Sequence, residues 1–188
     1  VVALLLVFLG LTYLSLSSTD KTFDTCEIIG AADINEIDFK KYDSVVVAAS
    51  TLYEGNNLKN VMQGEQYRKA WSAPVSVPIL YLNDISGNVK VLEEGGGKQT
   101  HSLKLQKDDG TLMTLRSVSK DPSPLVPKVA KTLGIENIVV DGISAQHPYA
   151  ALVVAKLSEK AKILNTKPKL VFVPKQEQLL DYNTKYAN

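Results

Sequence analysis

Two basic residues four positions apart, Arg116 and Lys120, follow a run of three glycines, Gly95-Gly96-Gly97. Consecutive glycines let backbone N–H groups approach a phosphate closely. Arginine and lysine bind phosphate oxygens through charge-assisted hydrogen bonds. On a regular strand, evenly spaced residues share one side, so Arg116 and Lys120 would point together past the glycine turn. Leu115 would then be a structural residue of the same strand. An acidic residue on the following helix, Asp141 or Glu136, is the expected partner of a strand cation. The bland alternatives are a tight connection for the glycines and a solvated strand face for the cations. Neither the P-loop spacing nor the dinucleotide fingerprint accompanies the glycines.

Other chemistries find less in the sequence. His101 and His147 lie far apart and Cys26 is the single cysteine, so no zinc-type ligand pattern is present and no metal site is expected. There is no G-x-S-x-G elbow, and Ser144 beside His147 is not an activated pair by spacing alone. The net charge is +1, which supports neither a nucleic-acid face nor a polybasic membrane patch.

The elements that would position these residues follow from pattern. Residues 1–16, VVALLLVFLGLTYLSL, carry no charge, and Ser15-Leu16-Ser17 is a small-x-small site of the kind a signal peptidase cuts. Residues 1–18 are therefore expected to be a signal peptide or membrane anchor, and 19–43 a polar linker. Ser44–Ala49 predicts a buried strand. Asn56–Ala70 predicts a helix with Leu58, Val61 and Met62 on one face, closed by Trp71 and Pro74. Val75–Leu82 predicts a strand, at an edge or bulged because Pro78 cannot donate to a ladder.

The 101–105 and 112–118 segments alternate polar and apolar residues around Asp108-Asp109-Gly110, a strong hairpin signal. Helices are expected from Glu136 to Gln146 and from Pro148 to Lys162, the second with Leu152, Val153, Leu157 and Ala161 facing inward. Lys169–Val173 predicts a last strand between Pro168 and Pro174, followed by a polar tail. The order of glycine turn, hairpin with a basic second strand, helix and strand is that of a protein-kinase nucleotide-binding lobe.

The stretches YRKAWSAPVSVPIL, GGGKQTHSLKLQKDDGTLMTLRSVSKDP, DGISAQHPYAALVVAKLSEKA and PKLVFVP resemble a group of large bacterial envelope proteins known as metallophosphoesterases or surface-antigen outer-membrane proteins. The resemblance runs from Tyr53 to Asn188. It implies the small lobe of a kinase-like part of the HipA and CotH types, with a phosphoesterase domain upstream and a β-barrel downstream in some members. Gly142 stands where that family has a glutamine.

The expected architecture is thus α+β: a small antiparallel sheet built on the 101–118 hairpin with one helical layer from 136–162, resembling a kinase N-lobe and incomplete over 44–188. Two function classes follow. The first is the nucleotide-binding lobe of an exported kinase-like protein, with Gly95, Gly96, Gly97, Arg116, Lys120 and Asp141 at the nucleotide. ATP and magnesium would be bound only by the full-length protein, and this fragment would be inactive alone. The second is a non-catalytic interaction or linker module beside an outer-membrane barrel or phosphoesterase domain. In both, the expected location is the periplasm or outer membrane. The expected partners are the C-terminal remainder of the chain and a membrane, with no nucleic acid.

Overall fold

A computed structural model describes residues 1–17, 27–31, 33–96, 99–121, 123–133 and 136–187. The architecture is α+β, but the strands form two separate three-stranded antiparallel sheets rather than one.

The first sheet orders β1 (Glu27–Ile28), β2 (Ser44–Ala48) and β3 (Val75–Pro78) as β1-β2-β3. β2 has the sequence SVVVA, and its β-branched residues suit a pleated, half-buried surface. Ser44 pairs with Pro78 and Val47 with Val75, which leaves β3 on the sheet edge where a proline is tolerated. The sheet's Val47 and Val77 side chains pack with Phe39 and Phe172 in one buried cluster. The expected polar linker is therefore folded in part. Asp33 and Asp38 accept hydrogen bonds from the N–H groups of Asn35 and Lys40, starting two 3₁₀ turns, and the second buries Phe39.

The second sheet orders β4 (Val89–Gly96), β5 (His101–Lys107) and β6 (Leu112–Arg116). The predicted β5–β6 hairpin is present, with Gly110 at φ 84° in its turn, a conformation open to glycine without a Cβ clash. β4 was not expected. A register shift between Val91 and Glu93 breaks its alternation, which hides the period-two signal.

The apolar face of this sheet centres on Leu103 and Leu105. Its cover is Leu82, Val173, Leu179 and Ala187, not the predicted helical layer from 136–162. The predicted last strand is instead an extended segment joined to the first sheet by one parallel bridge, Ile79 to Phe172. Prolines on both sides of it remove ladder donors. The expected polar tail also folds: the Leu82 N–H donates to Gln176 Oε1 at 2.6 Å, and Leu179 is fully buried.

Seven helices complete the described chain. Of these, α1 (Val2–Ser17) shows most of its apolar side chains to solvent. The helix predicted over 56–70 is split into α2 (Asn57–Gln63) and α3 (Arg68–Ser72), because Gly64 at φ 90° ends the first. Of its expected inner face, Leu58 and Met62 are half-buried, but Val61 is 82% exposed and Lys59 is fully buried instead. α4 (Lys128–Thr132) is short.

The helix predicted over 136–146 is α5 (Glu136–Asp141) running into a 3₁₀ turn at Gly142. Glycine is the poorest α-helix former after proline, and its backbone freedom favours the change there. α6 (Ala150–Lys160) follows, and α7 (Asn183–Tyr186) lies over β5. The inward stripe expected on α6 is corrected: Leu152 is half-buried, but Val153 and Leu157 face solvent. Segment 170–187 already covers the sheet face that this stripe was expected to meet.

Candidate functional site

Charge converges most tightly at Asp141. Arg68 Nη1 donates to Asp141 Oδ1 at 2.7 Å and Nη2 to Oδ2 at 2.6 Å, a bidentate fork. Lys59 Nζ stands 3.1 Å from Oδ1. Arg68 Nε donates to the Gly64 carbonyl at 3.0 Å and Nη1 also to the Tyr53 carbonyl at 3.1 Å. Asn56 caps α2 through the Lys59 N–H at 2.9 Å, which fixes the turn that aims Lys59 inward.

All three charged side chains are buried: Lys59 at 0%, Asp141 at 2% and Arg68 at 4% exposure. Burial pushes the Asp141 carboxyl up, but the Arg68 hydrogen bonds and the Lys59 charge outweigh it and hold the group below its ordinary range. Beside the cluster, Tyr53 stacks edge-on against Trp71 at 4.9 Å between ring centroids. Burial, and then the charges of Asp121 and Asp141, raise the Tyr53 phenol.

Gly55 belongs to this packing. A Cβ there would lie 2.7 Å from Asn60 Oδ1 and 3.2 Å from Arg68 Cδ. With both Asp141 oxygens and the Arg68 fork engaged, the arrangement ties α2, α3 and α5 together, and the cavity of about 390 Å³ that Arg68 borders is also lined by Glu54 and Glu65.

Each residue expected from sequence can now be placed. Gly95 and Gly96 end β4 and line a cavity of about 300 Å³ with Glu94, His101, Asp121 and Lys185. Gly97 lies outside the described residues, as does Cys26. The cavity's lysine is engaged, since Lys185 Nζ donates to Glu94 Oε2 at 2.9 Å, and that bond raises the Lys185 pKa. Two carboxylates in a lining with one paired cation do not favour an anionic ligand.

Arg116 and Lys120 are not brought together. β6 ends at Arg116, so the even-spacing rule does not extend to Lys120. Arg116 lies on the exposed face, opposite Ser102. Lys120 turns away: its Nζ donates to Gln146 Oε1, its carbonyl accepts from the Tyr53 hydroxyl at 3.4 Å, and burial lowers its pKa. Neither lines the glycine cavity. Asp141, expected to pair with one of them, pairs with Lys59 and Arg68. Those two partners were missed because a lysine and an arginine on amphipathic helices read as solvated; the asparagine cap before Lys59 was the available signal.

A third feature is the seat of α1. Gln63 Nε2 donates to Ser15 Oγ at 2.9 Å, and Asn137 Nδ2 donates to the Leu16 carbonyl at 2.9 Å. Ser15 and Leu16 are buried against α2 and α5. The small-x-small site is therefore helical and built into the body. Among the described residues, no three histidine, cysteine, aspartate or glutamate side chains gather as a metal would require.

Comparisons with known protein families, curated proteins and solved structures find no match to this chain.

Proposed function

We propose that this chain is a membrane-tethered, non-catalytic module of the cell envelope. In this reading α1 is a retained anchor and the α+β body is a scaffold for neighbouring parts of the envelope protein, a barrel or a phosphoesterase domain among them. The seat of α1 carries the reading. Its last turn is buried and hydrogen-bonded within the body, while Val2 to Leu9 are bare apolar surface.

Removing α1 would cost Gln63 and Asn137 these hydrogen bonds, each a net contribution of about 0.5–1.5 kcal/mol. Leaving α1 in water is costly as well, at about 1.5–3 kcal/mol for each large side chain that a bilayer would cover. The 16 residues of α1 measure about 24 Å at 1.5 Å each, which reaches through most of a hydrocarbon core of about 30 Å. The stretch Glu136–Lys160 also has the length and hydropathy of a span. It is nonetheless broken around Pro148, and its Asp141 is committed to the buried ion cluster, so it belongs to the body.

The nucleotide-binding reading has one observation in its favour, that Gly95 and Gly96 line a cavity. Glu94 and Asp121 in the same lining, and the separation of Arg116 from Lys120, weigh the balance toward the tethered scaffold.

The test is to express the chain behind a start codon and a basic leader, then fractionate the cells. We expect a membrane-bound product that resists an alkaline carbonate wash and whose intact mass includes residues 1–17. A soluble product whose mass begins after Ser17 would refute the proposal.

A further inference from the structure

α6 leaves the body with its apolar stripe turned outward. Ala150, Val153, Val154, Leu157 and Ala161 share one face at helical spacing. Val153, Val154 and Leu157 are 54%, 58% and 65% exposed, and Ile163 and Leu164 extend the stripe at 61% and 99%. A contiguous apolar surface of this kind marks an interaction site.

Its charge is as distinctive. Residues 150–170 hold five lysines and one glutamate, a net +4 within a chain whose total is +1. The near-neutral total thus conceals a strongly basic segment. Only Lys156 is neutralised locally, by Glu159 at 3.6 Å. Lys160, Lys162, Lys167 and Lys169 are exposed and make no ion pair among the described residues.

We infer that α6 and the segment following it seat on the anionic surface of a bilayer. Leu157, Val153 and Leu164 enter the boundary between headgroups and acyl chains, and the lysines meet lipid phosphates. An apolar face rimmed by lysines is the composition that binds such an interface. A second copy of the chain would bring the same +4 to the contact, so charge selects an anionic cover. The anchor places a bilayer within reach. Asn137 of α5 holds the end of α1, and α6 begins nine residues beyond Asp141, the last residue of α5. This inference rests on the anchoring of α1 proposed above.

The experiment uses the whole chain with Cys26→Ser as background, reconstituted in vesicles of neutral phosphatidylcholine or of phosphatidylcholine with phosphatidylglycerol. An environment-sensitive fluorophore is attached at Leu157→Cys or, separately, at Leu5→Cys. Both positions are exposed, so labelling leaves the body intact. In anionic vesicles both probes are expected to report lipid. In neutral vesicles, or at 1 M salt where the Debye length falls to about 3 Å, the Leu157 probe returns to water and the Leu5 probe does not. Each of Lys160→Glu and Lys162→Glu lowers the ratio of seated to unseated helix about fivefold or more, since a single lysine near the surface contributes about 1 kcal/mol.

A Leu157 probe that stays in water in anionic vesicles, while Leu5 reports lipid, overturns the inference and leaves the anchor standing. A Leu157 probe equally shielded in neutral vesicles and indifferent to the lysine reversals also overturns it, in favour of a protein cover. A Leu5 probe in water throughout overturns the anchor itself, and the inference with it.

Discussion

Two regions of this molecule assemble the side chains that a phosphate site needs, and they come to opposite ends. Around Asp141, two cations and a carboxylate are folded so deeply that four of the five Arg68 N–H groups have a protein acceptor and the Lys59 ammonium lies against the carboxylate. At the far end of β4, two glycines open onto a cavity, but the nearby cation is spent on Glu94 and the arginine lies elsewhere. Residue type alone would rank the two sites alike. What separates them is how many partners the fold has already supplied. Charge with a full set of internal partners is structural, and an open cavity without convergent cations gives an anion little to bind.

The comparison is broken most severely at Asp141. We expect Asp141→Asn to lower the unfolding free energy by about 3–5 kcal/mol, because it leaves Lys59 and Arg68 buried without a counter-charge. Urea unfolding followed by tryptophan fluorescence reads this directly, since Trp71 packs in the adjacent core. A loss under 1 kcal/mol would show that the cluster does not hold the helices together.

Acid offers the same perturbation without a mutation. The folded Asp141 pKa is depressed, so its contribution is fully present above the unfolded value of about 3.9 and is lost as pH falls through the lower folded value. Melting curves should therefore show a loss of stability below about pH 4 that is smaller in Asp141→Asn, where only carboxylates such as Glu93 and Asp109 remain to be protonated. Coincident pH profiles for the two proteins would contradict the assignment.

Glycine substitutions sharpen the contrast on a smaller scale. Gly55→Ala is expected to cost about 1–3 kcal/mol, as overpacking against Asn60 and Arg68. Gly95→Ala meets the Ser102 hydroxyl at 2.9 Å, with Lys104 carbons at an ordinary 3.8 Å, and should cost about 1 kcal/mol. Gly96→Ala meets nothing within 4 Å and should stay within about 0.5 kcal/mol of wild type. Equal costs at Gly55 and Gly96 would mean that the two environments are not distinct.

The least effect is expected at Arg116. Arg116→Ala should change stability by no more than about 0.5 kcal/mol. It should also leave inorganic-phosphate binding, followed by ³¹P linewidths, unchanged. A mutant that abolishes phosphate binding seen in the wild type would restore the nucleotide-lobe reading.

Much of the secondary structure was legible in the sequence, and the reasons are local. Asp109-Gly110 between alternating runs dictates the β5–β6 hairpin, valine-rich 44–48 dictates β2, and Pro78 confines β3 to an edge. What escaped is non-local. Nothing near Lys59 or Arg68 announces that Asp141, 73 positions beyond Arg68, will neutralise them. The α6 stripe has the periodicity of a buried helix, and only the prior claim of 170–187 on the sheet turns it outward. The β4 register shift erased the alternation that would have revealed that strand. For the candidate site, the glycines were found and the cation partners were not, because strand parity holds only while the strand continues.

The cover that residues 170–187 lay over the second sheet has a consequence in time. A ribosome makes the hairpin some sixty residues before it makes Val173 and Leu179, so Leu103 and Leu105 emerge with only Leu82 of their buried cover already made. Until that late segment arrives, the nascent chain carries an open apolar sheet, the form most prone to mispairing. Gln176, which joins Leu82 across 94 positions, acts as the clasp that ends this interval. The body therefore closes last where it is sewn farthest, and a pause in synthesis before residue 170 would be the moment of greatest hazard.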